Sequence, residues 1–369
     1  MKAKCLKLNL PADRRIIAIS DIHGNLDYLT NLLEQVEYTE DDILFILGDS
    51  CEKGPKNLET LRYIMNLTKT QTVFSVLGNC DTLFEDVFVE NNPENDAELL
   101  NYLLWRQESL LNDMLRELGT HVTELSDMPT IKAQLRQSFA PEFKFLHSLP
   151  TIIETQKYIF VHAGLQSDDM DKQDNELCLS TDAFMEQGLK FAKFVVVGHW
   201  PVTLYNKFRP SANPIIDMQS KIISIDGGNI LKNDGQLNAL IIDNADSDKL
   251  GFSFYDFFPQ ALTVEAQGES ALPTINIPWI DNQIKVLERQ TEFSYCEHVS
   301  TGHKLRILNK YIFDRDGKTF CLDSTDYQLA VQENDVVSII EKTNEGTLVK
   351  KDGITGWYHG NLKFVRYSS

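Results

Sequence analysis

Five short apolar runs, IIAIS, ILFIL, VFSVL, YIFV and FVVV, each lead at their C-terminal edge into side chains that carry metal-binding oxygen or nitrogen atoms. The first run leads to Asp21 and His23, the second to Asp49, the third to Asn79, the fourth to His162 and the fifth to His199. Branched and aromatic runs of this length, bounded by Gly and polar residues, predict strands buried on both faces. In α/β sheets the ligand crevice lies beyond the carboxyl ends of the strands. Five such ends therefore predict one shared site.

The segments between the first three runs carry apolar residues at helical spacing: Leu26, Leu29, Leu32, Leu33 and Val36, then Leu58, Leu61, Ile64 and Met65. This is a βαβαβ pattern, which implies parallel neighbours with their ligand-bearing loops on one sheet edge. From about residue 83 to 149 the texture changes to longer helical stretches with an acidic bias. It reads as a helical insertion, serving either as a cap beside the site or as a layer with no substrate role. The later stretches IIDMQSKIISID and LNALIID are strands expected to complete a second sheet. Residues 1–265 read as one large domain and the Pro- and Gly-bearing residues 266–282 as a linker. Residues 283–369 read as a small all-β domain with turn signals at NEG and KDG.

The formal charge of −19 argues against a generic nucleic-acid surface, which needs clustered Lys and Arg. No apolar run approaches the roughly 20 residues needed to span a bilayer, so no membrane partner is expected. The six cysteines are scattered over a long chain, unlike a secreted disulfide framework, and the expected compartment is the cytoplasm. In the tail, Cys296, His298, His303 and Cys321 offer four donors without the paired spacing of a zinc site.

Written out, the motifs are Asp21-Ile22-His23-Gly24, Gly48-Asp49 through Gly54-Pro55, Gly78-Asn79-Cys80-Asp81, Val161-His162-Ala163-Gly164 and Gly198-His199. In this order, each after a strand, they resemble the calcineurin-like metallophosphoesterases, and more narrowly their Ser/Thr phosphoprotein phosphatase branch, over roughly residues 14 to 257. The resemblance implies a four-layer αββα sandwich with a helical cap. It also implies two divalent ions, manganese first, with iron or zinc as alternatives. Asp21 and His23 would hold the first ion, Asp49 would bridge, and Asn79, His162 and His199 would hold the second. A hydroxide between the ions would attack phosphorus, with no covalent enzyme intermediate. Residues 335–362 resemble bacterial SH3-like domains, which implies a peptide partner or an intramolecular packing role.

Departures from the family pattern bear on the substrate. Active protein phosphatases carry His as the leaving-group acid after the Asn of the third motif. Here that place is Cys80, a poorer acid at neutral pH, with Glu52 at the place of the residue that orients it. Lys53 replaces a phosphate-gripping Arg and loses its bidentate fork. Thr181 aligns with a second such Arg, for which Arg209 is the candidate replacement. Pro201 stands where many relatives carry another His, as in the protein phosphatase branch. The expected catalytic residues are Asp49, Asn79, Glu52 and Cys80, with Lys53, Asn79 and Arg209 binding substrate. The leading expectation is phosphomonoester hydrolysis on a phosphoprotein or small ester. The alternatives are a dinucleoside polyphosphate hydrolase or phosphodiesterase, and a degenerate phosphatase acting as a binding module.

Overall fold

Alternation along the central strands decides the layering. The structure, a computed structural model, describes residues 1–364; the last five residues of the expected tail domain, 365–369, lie outside the described residues. Two units are resolved, the first comprising Met1–Trp200, Pro214–Ile230 and Leu237–Tyr255.

In the first unit β1 (Cys5–Lys7) precedes a βαβαβ run: β2 (Ile16–Ile19), α1 (Leu26–Gln35), β3 (Ile43–Leu47), α2 (Asn57–Thr70) and β4 (Val73–Val76). β2, β3 and β4 pair in parallel, as the spacing predicts. After a 3-10 stretch, Cys80–Phe88, come α3 (Pro93–Trp105), α4 (Leu110–Glu117), α5 (Met128–Ser138) and α6 (Ala140–Ser148). Then follow β5 (Ile152–Glu154), β6 (Tyr158–Val161), α7 (Asn175–Ser180), β7 (Phe194–Val197), β8 (Ile215–Asp217), β9 (Ile222–Ser224), β10 (Leu237–Ile242) and β11 (Leu250–Tyr255).

These strands form two sheets, ordered β11-β10-β2-β3-β4 and β1-β5-β6-β7-β9-β8. Ile16, Ala18, Ile43 and Phe45 face Phe160, Val196 and Ile223 of the other sheet, with the Phe45 and Phe160 rings stacked 3.8 Å apart. The alternate residues Ile17, Ile19, Leu44 and Ile46 pack on Leu29, Leu32 and Leu33 of α1 and Ile64 of α2. On the far side Val161, Val195 and Val197 pack on Cys178 and Phe184. The period of two thus splits each strand between two cores, giving helix, sheet, sheet, helix. One expectation is corrected: LNALIID does not join the second sheet. As β10 it pairs antiparallel with β2 in the first, where both its faces are apolar and covered.

Residues 83–149 are helical, as expected. Asn92, Ser109 and Asp127 accept the backbone N–H three residues on and so start α3, α4 and α5. Leu99, Leu103, Leu111, Met114, Leu135 and Phe143 of these helices share a core with Leu58 and Leu61 of α2.

The second unit comprises Pro201–Asn213, Leu231–Gln236 and the chain from Asp256. Among its described residues it has strands and short 3-10 turns but no α-helix. Its largest sheet has five strands, in the order Ile354–Tyr358, Thr347–Lys351, Val336–Lys342, Gln260–Thr263 and Leu362–Phe364, and a second sheet has three. Within residues 266–282, Gln267 bridges Val331 and the strand Asn276–Ile277 pairs with Ser324–Thr325. Cys296 and Cys321 sit in an apolar core, while His298 bonds to Thr301 and Asp281 and His303 to Asp326. Those four side chains form no metal-type group among the described residues.

Candidate metal centre

The site lies wholly in the first unit, and its backbone is strained at four of the six candidate donors. Asp21, His23, Asp49 and His199 have φ of 54°, 49°, 48° and 65°, and Glu52 and Lys53 have 73° and 72°. Non-Gly residues reach this left-handed region rarely, and such strain gathers at functional sites. Motif glycines let the turns interlock. A Cβ on Gly54 would lie 1.7 Å from the His23 carbonyl oxygen, and one on Gly78 2.1 Å from the Asp49 nitrogen.

Asp49 stands between two groups of donor atoms. Its Oδ2 is 3.8 Å from His23 Nε2, which is itself 3.9 Å from Asp21 Oδ1. Its Oδ1 is 3.4 Å from His162 Nε2. His162 Nε2 and His199 Nδ1 both approach Asn79 Oδ1, at 2.9 and 3.0 Å. Donor atoms held about 2.0–2.3 Å from one ion stand roughly 3–4.5 Å from one another, and these separations fall in or close to that range.

Hydrogen-bond accounting favours cations in both groups. His162 Nδ1 lies 2.7 Å from the Leu47 carbonyl, so the neutral ring carries its proton there and turns the Nε2 lone pair toward Asn79 Oδ1. His199 Nε2 lies 3.2 Å from Asp182 Oδ1, which likewise leaves Nδ1 as the lone pair. Three acceptors therefore converge with no proton to share. In the other group, both ring nitrogens of His23 and Asp21 Oδ1 are buried without a hydrogen bond of good geometry. Orphaned buried polar atoms are costly, and one divalent ion can satisfy Asp21 Oδ1 and one of the two His23 nitrogens together, the other nitrogen keeping its proton.

Charge follows the same logic. Burial, then Asp49, pushes the Asp21 carboxyl up to about 8, and burial pulls His23 down to about 4. Burial, then His162, pulls His199 down to about 4. Burial also opposes ionisation of Asp49, but His162, His23 and Lys53 outweigh it and hold this carboxyl below the usual range. Burial drives the Cys80 thiol well up. Carboxylates, imidazoles and an amide oxygen suit first-row divalent ions.

The substrate-side residues divide. Lys53 is partly buried beside Cys80 and Asp49, which raise its pKa despite burial. Cys80 lies beside Lys53, accepts from Asn79 Nδ2 at 3.6 Å and donates its N–H to Asp49 Oδ1 at 2.8 Å. Glu52 is spent elsewhere: Tyr102 Oη donates to Oε2 at 2.7 Å and the Leu110 N–H to Oε1 at 2.6 Å. The Lys53 N–H donates to the Glu108 carbonyl at 2.8 Å. Three bonds thus tie the strained Glu52-Lys53 turn to the helical insertion. Thr181 bonds back to Leu177 at 2.6 Å, and Arg209 belongs to the second unit, beside the Tyr327 hydroxyl.

These bonds carry a stability prediction. Tyr102→Phe removes one donor and should cost about 1 kcal/mol, whereas Glu52→Ala also orphans the buried Leu110 N–H and should cost about 2–3 kcal/mol. Denaturant midpoints measure both. Equal costs would contradict the shared-carboxylate account.

Sequence reasoning placed Asp81 in the third motif without a role and missed Asp226. Asp81 is buried and accepts from the N–H groups of Cys51 and Gly78, both at 3.1 Å, stapling the second motif to the third. Asp226 closely follows β9, a sixth strand end, and its buried Oδ2 has no partner. Its place just beyond an apolar strand was the available signal. The exposed Asp182 carried none.

Comparison with known proteins agrees with this geometry. The chain is 41% identical over 131 residues to a symmetrical bis(5'-nucleosyl)-tetraphosphatase of Salmonella paratyphi C, covering 31% of this chain and 45% of that one. It is 26% identical over 164 residues to PrpE of Bacillus subtilis, an asymmetrical bis(5'-nucleosyl)-tetraphosphatase, covering 42% and 59%. The chain thus spans about half the length of the curated relatives it matches. A Saccharomyces cerevisiae protein serine/threonine phosphatase structure aligns with a TM-score of 0.42 and 13% identity, covering 69% of this chain and 84% of that one. Residues 14–220, more than half of the sequence, match the calcineurin-like phosphoesterase family. That span holds all five motifs and every donor of the centre, and the chain belongs to the calcineurin-like phosphoesterases.

Proposed function

We propose that this centre hydrolyses a phosphoanhydride link in a dinucleoside polyphosphate. Asp21, His23 and Asp49 would hold one divalent ion, and Asp49, Asn79, His162 and His199 a second. Such ions supply a nucleophilic water at neutral pH and stabilise charge on the transferring phosphoryl group. The chain's own residues set up that chemistry. The Leu47 carbonyl fixes the His162 tautomer and Asp182 that of His199. The Lys53 ammonium offers a point charge to a phosphate oxygen.

One observation carries the choice of substrate. Cys80, not an imidazole, follows Asn79, and both oxygens of the would-be orienting Glu52 are bonded to Tyr102 and Leu110. The site therefore holds no oriented acid for an alkoxide leaving group. A nucleotide leaves as a phosphate anion with little need of protonation, and the relatives named above are tetraphosphatases. A general acid is worth about 10²–10⁴-fold where the leaving group needs one. Diadenosine tetraphosphate should therefore exceed a phosphoserine peptide in kcat/KM by about 10²-fold or more. Equal values, or the reverse order, would overturn this reading.

The Ser/Thr protein phosphatase reading draws on Pro201, which stands where many relatives carry a further His. It gains if the peptide is the better substrate. Two bound ions with no turnover of either compound would instead support a binding module. Manganese is the proposed physiological metal, with iron or zinc as alternatives. The SH3-like character of residues 335–362, a peptide partner for them and a cytoplasmic location are likewise proposals. The last is in keeping with six unpaired cysteines and with no described helix long and apolar enough to cross a membrane.

A further inference from the structure

Cys80 lies where a ligand of the first ion is needed. That ion would have only Asp21, His23 and the shared Asp49, fewer protein donors than its neighbour. The Cys80 Sγ, a His23 ring nitrogen and an Asp49 carboxylate oxygen all lie within 4.8 Å of one another. Donors sharing one ion stand at most about 4.4 Å apart, the sum of a zinc–sulfur bond of about 2.3 Å and a zinc–nitrogen bond of about 2.1 Å, so a small approach of these side chains brings all three onto one ion. His23 is fully buried, and neither ring nitrogen makes a hydrogen bond of good geometry, so its lone pair points at a missing partner. Two nitrogen donors stand near the sulfur. Asn79 Nδ2 approaches it at 3.6 Å and the Lys53 ammonium lies beside it.

We propose that Cys80 binds the first metal ion as a thiolate, an inference that rests on the dinuclear reading of the centre. Metal–sulfur bond formation would displace the thiol proton to solvent, as metal binding to cysteine generally does. Lys53 then has a structural reason to be lysine: a compact ammonium balances the thiolate charge beside the ion. A thiolate also makes the first position softer than the second, so zinc or iron, the alternatives above, would compete there with the manganese proposed for the centre. Cys80 thereby ceases to be an acid and becomes part of the floor on which the phosphate sits.

Cobalt(II) gives a readout independent of turnover. The metal-free full-length chain, reloaded with cobalt to two ions, should show a thiolate-to-cobalt charge-transfer band in the near ultraviolet. The band should vanish in Cys80→Ser, whose first-ion affinity should fall by about tenfold or more. It should persist in Cys5→Ser, the other cysteine that is not fully buried. In the wild-type chain, bound cobalt should also protect Cys80 from iodoacetamide, read by peptide mass, so the inference does not depend on the variant folding. Two bound cobalt ions with no band and no protection would overturn the Cys80 assignment and leave the dinuclear centre standing. Failure to bind cobalt at all would overturn both.

Discussion

Replacing Asp49 by Ala should lower turnover of p-nitrophenyl phosphate by at least about 10³-fold, equivalent to about 4 kcal/mol of transition-state stabilisation. The size follows from position. One carboxylate serves two donor groups, with Oδ2 3.8 Å from His23 Nε2 and Oδ1 3.4 Å from His162 Nε2. Removing it would take a ligand from each of the two proposed ions and leave buried imidazoles without their carboxylate. The contrasting substitution is Asp182→Ala. That carboxylate is 69% exposed and touches the centre only through His199 Nε2, so its loss should cost a few-fold at most. Steady-state rates with metal content measured on the same samples check both. Near-wild-type turnover by Asp49→Ala would remove the basis for placing the chemistry here.

Gly54→Ala should be the most damaging of the small substitutions. The added Cβ would sit 1.7 Å from the His23 carbonyl oxygen and 2.8 Å from its carbonyl carbon. Both partners are backbone, so neither can rotate away, unlike a side-chain clash that relaxes cheaply. Overpacking usually costs about 1–3 kcal/mol, and a clash this deep should cost about 3 kcal/mol or more. At roughly 2–4 °C per kcal/mol for a unit of this size, Tm should fall by about 10 °C. The same shift would move His23, so metal affinity should fall with stability. Calorimetry of metal-free and metal-loaded protein separates the two effects. An unchanged Tm would show that the Gly54 turn and the His23 turn are not interlocked.

Sequence and structure agree most closely where the determinants are local. Asp21, Asp49, Asn79, His162 and His199 each lie within three residues of the end of the strand that places them, so a buried apolar run and the polar residues just beyond it suffice to find these candidate donors. Helical spacing likewise marks α1, α2 and the helical insertion. What escaped is non-local. Glu52 meets its partners in the insertion, Tyr102 and Leu110, some fifty residues along the chain, and nothing at Glu52 itself announces them. β10 is apolar on both faces, so its periodicity cannot say which sheet it joins. The second unit recruits residues 201–213 and 231–236 from inside the span of the first, a threading that composition does not mark. Asp226 is the instructive miss, because it lies just beyond a strand end as the candidate donors do, but it precedes a Gly-Gly turn that reads as simple punctuation.

The central claim is that these strand ends are a dinuclear metal site that breaks phosphate links. Equilibrium dialysis of the metal-free chain against manganese, with diadenosine tetraphosphate hydrolysis assayed at each point, tests it most directly. The account predicts two ions per chain and turnover that rises with occupancy of the second. Two ions bound with no hydrolysis, or hydrolysis that persists in the metal-free chain, would contradict it.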